Sequence, residues 1–321
     1  MRWRLIFILF IFVIFNGSKF LVKGDRKWKD VKIFKEMEYG LIFPALVRVS
    51  YDGKYVYVLD YGDLKIKKFS SDGRFMSEYG KGKGEGPGEF KNPTDFVIDK
   101  NYNVWVCDPS NGLVTIFKDN GDILKTIRLK SVPLRLEIVD EKWLAIRPVT
   151  TGENLIEVYD LDGDFKFGFG KELTNAQRDV LFGGWMDSEG EFLYFGFERL
   201  SYILSFDLKG GKISYVKRTI DEFPDPMIET FSVNGHTVRG LPKDAPFSVM
   251  SLNVKNGLIF VKSGANWRKR EDLTIIDVYS ASNGEYRYSF KIPKRISVAY
   301  FDGDFIYGIS DTTLIKWRIK F

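Results

Sequence analysis

The chain has 321 residues, more than the roughly 250–300 at which a single hydrophobic core stops growing, so its length predicts two domains or an array of repeats. With 44% hydrophobic, 28% charged and 16% aromatic residues, the composition is that of a globular protein and excludes a disordered or collagen-like chain. One Cys and one His exclude a disulfide framework and the zinc or iron sites that need several thiolates or imidazoles.

The first residues are typical of a secretory signal. Arg2 and Arg4 precede an unbroken apolar run from Leu5 to Phe15, which as a helix would span roughly half of a bilayer core. We therefore predict a signal peptide over residues 1–18, with residue 24 as the later alternative for its end. This predicts an extracytoplasmic protein, in the periplasm or at the cell surface. A signal that stayed uncleaved would be its one contact with a membrane.

The formal net charge of +5 lies entirely in the first 30 residues, which contain seven basic side chains and only two acidic ones, Asp25 and Asp30. We interpret residues 19–29 as a basic linker, followed by one domain over residues 30–321. Residues 31–321 sum to zero, so no global positive field draws this domain to a polyanion. The sequence therefore predicts no nucleic-acid partner.

Short turns recur about every 48 residues after the signal, as expected of a repeat protein. One set of turns is Ser71–Gly73, Asp119–Gly121, Leu161–Gly163, Leu208–Gly210 and Ser282–Gly284. A second set precedes it by about twenty residues: Tyr51–Gly53, Asn101–Asn103, Asp140–Lys142, Ser188–Gly190, Lys255–Gly257 and, near the end, Phe301–Gly303. Between the turns lie short runs rich in β-branched and aromatic residues, several of which alternate with period two, as strands do.

These units predict an all-β fold, a six-bladed β-propeller whose blades are four-stranded antiparallel meanders. We letter the strands of a blade A to D from the central channel outward. Only two runs, Phe305–Ser310 and Thr313–Lys320, follow the last early turn, so the sixth blade lacks its outer strand. We expect Asp30–Glu36 to supply that strand and to close the ring.

The second unit carries a more specific pattern. It comprises Gly84–Phe90, Asn92–Pro93, Val104–Asp108, Asn111 and Val114–Phe117. This pattern resembles the NHL repeat, and the whole chain resembles exported bacterial six-bladed propellers of that type. Leu113 stands where NHL repeats usually carry Arg, which removes the support for any function that rests on that Arg.

The long connections fall on one face of the predicted propeller. They are the D-to-A crossovers Gly80–Pro93, Lys171–Gly184 and Asp221–Phe247, and the B–C loop Ser263–Asp272. The opposite face keeps the short A–B and C–D turns. Long loops gathered at one mouth of the channel indicate a binding surface there, which we call the long-loop face.

Several residues on this face are candidates for ligand binding: Tyr61, Asp108, Asn111, Arg147, Glu198, Arg199, His236, Trp267, Arg268 and Arg270. The ring and cations of Trp267–Arg270 would suit an anionic sugar or a peptide carboxylate. Each candidate has a structural alternative. Asp108, like Asp60, Asp63 and Asp311, stands where an aspartate caps a turn. Arg147, Glu198 and Arg199 stand where B–C loops form surface ion pairs, and His236 has no fixed Asp or Ser partner in its loop.

The absence of a nucleophile or metal constellation favours a non-catalytic binding propeller that engages a protein or a glycan, acts as a monomer and needs no cofactor. The alternative is a Ca²⁺-dependent lactonase or lyase with a cation in the channel, since carboxylates and Asn can hold Ca²⁺ without His. Only the analogy with related propeller folds supports that alternative.

Overall fold

The computed structural model describes residues 23–320, apart from 151, 172, 174–178, 234–235 and 267–270 and the side chains of Val233 and His236. Almost all of the ordered structure in this part of the chain is antiparallel β-strand, as predicted. A short 3₁₀ helix, Asp179–Leu181, lies in one crossover. No helix of the described residues is both long and apolar enough to cross a membrane.

The strands form six four-stranded blades in chain order. Blade 1 contains β2 (Pro44–Val49), β3 (Tyr55–Asp60), β4 (Lys65–Ser70) and β5 (Phe75–Tyr79); blade 2 contains β6 (Asp95–Ile98), β7 (Val104–Asp108), β8 (Leu113–Phe117) and β9 (Ile123–Ile127). Blade 3 contains β10 (Pro133–Val139), β11 (Trp143–Pro148), β12 (Ile156–Asp160) and β13 (Phe165–Phe169); blade 4 contains β14 (Gly184–Glu189), β15 (Phe192–Phe197), β16 (Tyr202–Asp207) and β17 (Lys212–Arg218). Blade 5 contains β20 (Val249–Lys255), β21 (Leu258–Ser263), β22 (Thr274–Ser280) and β23 (Tyr286–Ile292).

Blade 6 takes β24 (Val298–Asp302), β25 (Phe305–Ser310) and β26 (Thr313–Lys320) from the end of the chain, and its outer strand β1 (Lys32–Gly40) from the beginning. The predicted closure is confirmed, although the closing strand runs further than Asp30–Glu36. Each inner strand contacts the inner strands of the two neighbouring blades, and β2 contacts β24, so the ring is continuous.

The hydrophobic core lies between the blades. One cluster joins blades 3 and 4 through residues such as Val158 and Phe206, and another joins blades 5 and 6 through Phe260 and Phe301, whose rings stack at 4.4 Å. Because the side chains of a strand alternate between its two faces, each blade contributes one apolar face to each of its neighbours. The single thiol, Cys107, is buried in such an interface, and burial raises its pKa to about 12.

The insertion between blades 4 and 5 differs from the loop that the sequence analysis assumed. Within it β18 (Glu229–Val233) and β19 (His236–Gly240) pair as a two-stranded antiparallel hairpin. The sequence does contain the signal, since Asn234-Gly235 between two alternating runs is typical of a tight hairpin. The hairpin stands apart from the six blades and exposes Glu229 and Thr230.

The segment 23–29, predicted as a basic linker, contacts blade 5. Trp28 forms a parallel bridge with Ser289 of β23. Beside it, Arg26 is buried, with its side chain only 4% exposed, and its guanidinium pairs with two carboxylates. Nη2 lies 2.6 Å from Oδ2 of Asp221, and Nε lies 2.8 Å from Oδ1 of Asp277. These pairs hold the segment against blade 5 and against the start of the insertion.

We expect Arg26→Ala to lower the free energy of unfolding by about 3 kcal/mol, because it leaves the buried carboxylates of Asp221 and Asp277 without their cation. Urea unfolding followed by tryptophan fluorescence measures the change. Lys35→Ala is the matched control, since Lys35 also pairs with a carboxylate, that of Glu38, but on an exposed surface. Equal effects of the two substitutions would contradict a structural role for the Arg26 pairs.

Candidate functional site

A cavity of about 610 Å³ opens on the long-loop face, at the junction of blades 5, 6 and 1. Its lining comes from both kinds of connection on that face. Phe43 and Pro44 follow the link from β1, Ile296 and Ser297 lie in the crossover to blade 6, and other lining residues belong to the B–C loops of blades 5 and 6. This volume is within the range of about 300–1,000 Å³ that small-ligand sites occupy.

Lys262, at the end of β21, lines this cavity and is 6% exposed. Its ammonium donates a hydrogen bond to the carbonyl oxygen of Ser297 at 2.8 Å. Burial, together with the positive charge of Arg295, lowers the pKa of Lys262 to about 8. A bound anion would offset the cost of burying the Lys262 ammonium.

Acidic side chains line the exposed part of the same cavity: Glu271, Asp272 and Asp311. Asp272 is engaged within the protein, because Oδ1 accepts the peptide N–H of Arg295 and Oδ2 lies 3.5 Å from Nζ of Lys294. The cavity therefore has a buried cation inside and a more exposed rim, where Lys294 and Arg295 stand beside the three acidic side chains.

The candidates from blades 1 and 2 lie near the B–C turns, as expected. Tyr61 is half-buried, and its ring stacks on that of Phe43 with centroids 6.3 Å apart. The carboxylate of Asp108 accepts peptide N–H bonds from both the crossover and its own turn, including that of Lys91 at 2.6 Å. Asn111 donates to the carbonyl oxygen of Gly84 at 3.4 Å. Asp108 thus caps a turn, the structural alternative given above, and a ligand role for the three residues stays a prediction.

The candidates from blades 3 and 4 hold crossovers in place. Arg147 belongs to β11 and not to a B–C loop; it is 1% exposed, and its Nε donates to the carbonyl oxygen of Phe182 at 2.9 Å. Burial lowers the pKa of Arg147 to about 10. Arg199 donates to the carbonyl oxygen of Ala245 and lies over the ring of Phe247, while the backbone of Glu198 bonds to both flanking crossovers. The expected surface position is therefore wrong for Arg147.

The other candidates fall largely outside the described residues. Trp267, Arg268 and Arg270 lie there entirely, although their loop continues into Glu271 on the cavity rim. The backbone of His236 pairs with that of Val233 in the insertion hairpin. Among the candidates that the structure describes, none lines the 610 Å³ cavity, and they lie on four different blades.

The channel contains a cluster of charged residues that sequence reasoning missed. The guanidinium of Arg48, on β2, lies 3.4 Å from Asp95, 3.3 Å from Glu137 and 3.8 Å from Asp187, which stand on the inner strands of blades 2, 3 and 4. The available signal was a charged residue on the A strand of each of blades 1 to 4, namely Arg48, Asp95, Glu137 and Asp187. It was not informative alone, because each of these residues could equally have faced solvent.

Three carboxylates share one guanidinium in this cluster, so they cannot all be neutralised. Burial and the neighbouring Asp187 raise the pKa of Glu137 well above its usual range, although Arg48 acts in the opposite direction. Burial likewise raises the pKa of Asp187, against the lowering effect of Arg48 and of its hydrogen bonds from Val254 and Asn253. The channel therefore retains a proton on this pair at a pH where exposed carboxylates have lost theirs.

A metal ion in the channel would have to compete with Arg48, because its guanidinium already stands among these carboxylates. Among the residues that the structure describes, no group of three His, Cys, Asp or Glu side chains is arranged to hold a metal ion.

A second cavity, of about 550 Å³, opens on the short-turn face and is lined by A–B turns that include Tyr51, Glu141 and Lys255.

Sequence comparison places part of this chain among known propellers. A family model described as a 6-bladed beta-propeller (DUF5128) matches residues 42–145. None of the curated proteins matches the chain.

Solved structures share the fold at low sequence identity. A protein described as exported, from Bacteroides fragilis, has a TM-score of 0.57 and 13% identity over 95% of this chain and 96% of its own. The WD40 repeats of RRP9 have a TM-score of 0.56 and 11% identity over 93% and 100% of the two chains. Virginiamycin B lyase from Staphylococcus aureus has a TM-score of 0.54 and 15% identity over 90% and 99%. These similarities establish the class of protein, a six-bladed β-propeller.

The channel cluster predicts an unusual pH dependence of stability. Because the pKa of Glu137 is higher in the folded protein than the ordinary 4.5, the folded state holds its proton more tightly than the unfolded state does. This contribution to stability is complete below about pH 4.5 and is lost as the pH rises through the raised pKa. Glu137→Gln should remove it and flatten urea-unfolding free energies across this window by up to about 1.4 kcal/mol per pH unit.

The control is Glu229→Gln, which changes a carboxylate on the exposed insertion hairpin. Its unfolding free energy should follow the wild-type pH dependence. A wild-type profile that rises steadily with pH over the same window would show that Glu137 is not held protonated.

Proposed function

We propose that this protein is a non-catalytic extracytoplasmic binding propeller that engages another protein through its long-loop face. The observation that carries the proposal is the 610 Å³ cavity on that face, walled by loops from three blades. Four strands, β2, β20, β21 and β25, contribute residues to its lining, so the scaffold positions these walls. A preformed cavity of this kind lowers the entropy cost of ordering a partner.

Two features of the long-loop face extend the contact area beyond the cavity. The insertion hairpin presents exposed apolar side chains, including Phe231 and Val238, next to polar ones. Phe43 is also exposed, at the cavity edge. Aromatic side chains surrounded by polar ones are typical of protein interfaces.

The similarity to WD40 repeats supports a protein partner, because that fold class presents loops around a channel in the same way. The similarity to a protein described as exported supports the extracytoplasmic location expected from the first residues. A monomeric state and NHL-type identity belong to the same proposal, and a glycan is the other partner that the sequence suggests. The NHL-like pattern of the second unit falls within the family match at residues 42–145.

The alternative is a Ca²⁺-dependent lyase or lactonase, favoured by the shared fold of virginiamycin B lyase. Against it, the carboxylates nearest the channel centre already surround Arg48, and the described residues contain no group arranged as a metal site. The inner strands also supply no imidazole, because the one His of the chain lies in the insertion hairpin.

Excising the insertion hairpin tests the binding proposal. Glu229 and Gly240 are paired, so joining Ile228 to Leu241 through Gly-Gly removes the hairpin without pulling its ends apart. We expect capture of the partner from envelope extracts to fall at least about tenfold, a loss of roughly 1.4 kcal/mol of binding, with a melting temperature close to wild type. The control is Glu191→Ala with Lys209→Ala, which removes a surface pair on the opposite face. Unchanged capture by the excised variant would refute binding through this face.

A calcium titration separates the binding protein from the enzyme. After dialysis against a chelator, Ca²⁺ added to millimolar concentration should leave the melting temperature unchanged, because a ligand stabilises a fold only through sites present in the native state. A saturable upward shift that Asp187→Asn abolishes would instead favour a channel cation.

A further inference from the structure

The interior of the long-loop cavity is built to receive one negative charge. Lys262 lies there almost fully buried, and its ammonium can donate three hydrogen bonds. One goes to the carbonyl oxygen of Ser297, and no described residue accepts the other two. Lys294 and Arg295 also line the cavity but are more exposed, so Lys262 is the buried cation of this lining.

The rest of the lining selects the kind of anion. Phe43, Pro44, Met250 and Ile296 supply apolar surface next to Lys262. The rim sets three acidic side chains, Glu271, Asp272 and Asp311, against the two basic ones of Lys294 and Arg295, so it offers no excess positive charge to a ligand that carries further negative charges. A phosphate or a polyanion is thereby disfavoured, while a single carboxylate on an apolar body fits both parts of the lining.

We propose that this cavity binds the carboxylate end of a peptide whose last side chain is apolar, with Lys262 receiving the carboxylate. The inference rests on the proposed function and names the chemistry of its partner. A uronic acid also carries one carboxylate, but its ring hydroxyls would need polar partners where Phe43, Pro44 and Met250 stand.

Binding should depend on pH in a defined direction. Only the protonated Lys262 attracts the carboxylate, and the pKa of the free ammonium is about 8. Apparent affinity should therefore be constant between about pH 6 and pH 7, where the ligand is a carboxylate and Lys262 is protonated, and should fall by up to about tenfold per pH unit above pH 8. Binding in turn should raise the pKa of Lys262.

The experiment follows the carbon-13 signal of the Lys262 ε-carbon in the full-length protein. The probes are hexanoate and N-acetyl-Gly-Leu, each compared with its uncharged amide. We expect both acids to shift the signal saturably, with the amides at least about tenfold weaker, a difference of roughly 1.4 kcal/mol. Glucuronate and inorganic phosphate are the competing sources of negative charge and should bind more weakly than hexanoate.

Lys262→Met should abolish acid binding, with hexanoate then followed by calorimetry. Lys316→Met is the matched control, because Lys316 is also a buried lysine that donates to a carbonyl oxygen, that of Ser71, away from the cavity. Should Lys262→Met fail to fold, the wild-type titrations with acid and amide decide the question alone.

Equal binding of acid and amide, tighter binding of glucuronate or phosphate, or unchanged binding by Lys262→Met would each overturn the inference. These outcomes are distinct from failure of the proposed function. Loss of capture on excising the hairpin, with no acid binding at Lys262, would leave the binding propeller standing and remove the carboxylate site. Acid binding at Lys262 with capture unaffected by the excision would leave the carboxylate site standing and refute the binding propeller.

Discussion

The antiparallel pairing of β1 with β26 is the contact on which the rest of the ring depends. It brings Lys32 opposite Lys320 and Gly40 opposite Thr313, and so joins the two ends of the described chain. Without it, blade 6 would expose the edge of β26, and Ile33 would lose its place in the cluster between blades 5 and 6. Closing so long a loop costs entropy, but that cost grows only with the logarithm of its length.

Around the channel, polar side chains connect each inner strand to the next from blade 1 to blade 6. Asp95 on blade 2 accepts the peptide N–H of Leu136 on blade 3, and Asp187 on blade 4 accepts that of Val254 on blade 5. Asn253 continues the series by accepting the peptide N–H of Phe301 on blade 6. Buried polar groups of this kind add little net stability, but an unpaired one is costly, so they fix how neighbouring blades are aligned. The charged cluster at Arg48 is part of this series of contacts between inner strands.

Local signals predicted the fold because a propeller repeats a local unit. Turns such as Ser71–Gly73 recur in five of the six units, with short strand-like runs between them, and the outer strand missing from the sixth unit predicted the closure. The site depends on contacts that no local pattern contains. Arg26 meets Asp221 and Asp277 at separations of 195 and 251 residues, so a basic run alone appeared to be a linker. Lys262 is one of many lysines in the sequence, and only the folded structure shows that it is buried in the lining of a cavity.

The closure and the cavity are physically linked. The three residues that join β1 to β2 end in Phe43, a wall of the cavity, and the carboxylate of Asp60 accepts the peptide N–H groups of Ile42 and Phe43. Another wall is formed by Ser310, the last residue of β25, and by Asp311 in the turn to β26. The pairing of β1 with β26 therefore positions two walls at once, and opening it would disperse them. A ligand that bridges these walls would in turn stabilise the closure, because it binds the closed ring and not the open one.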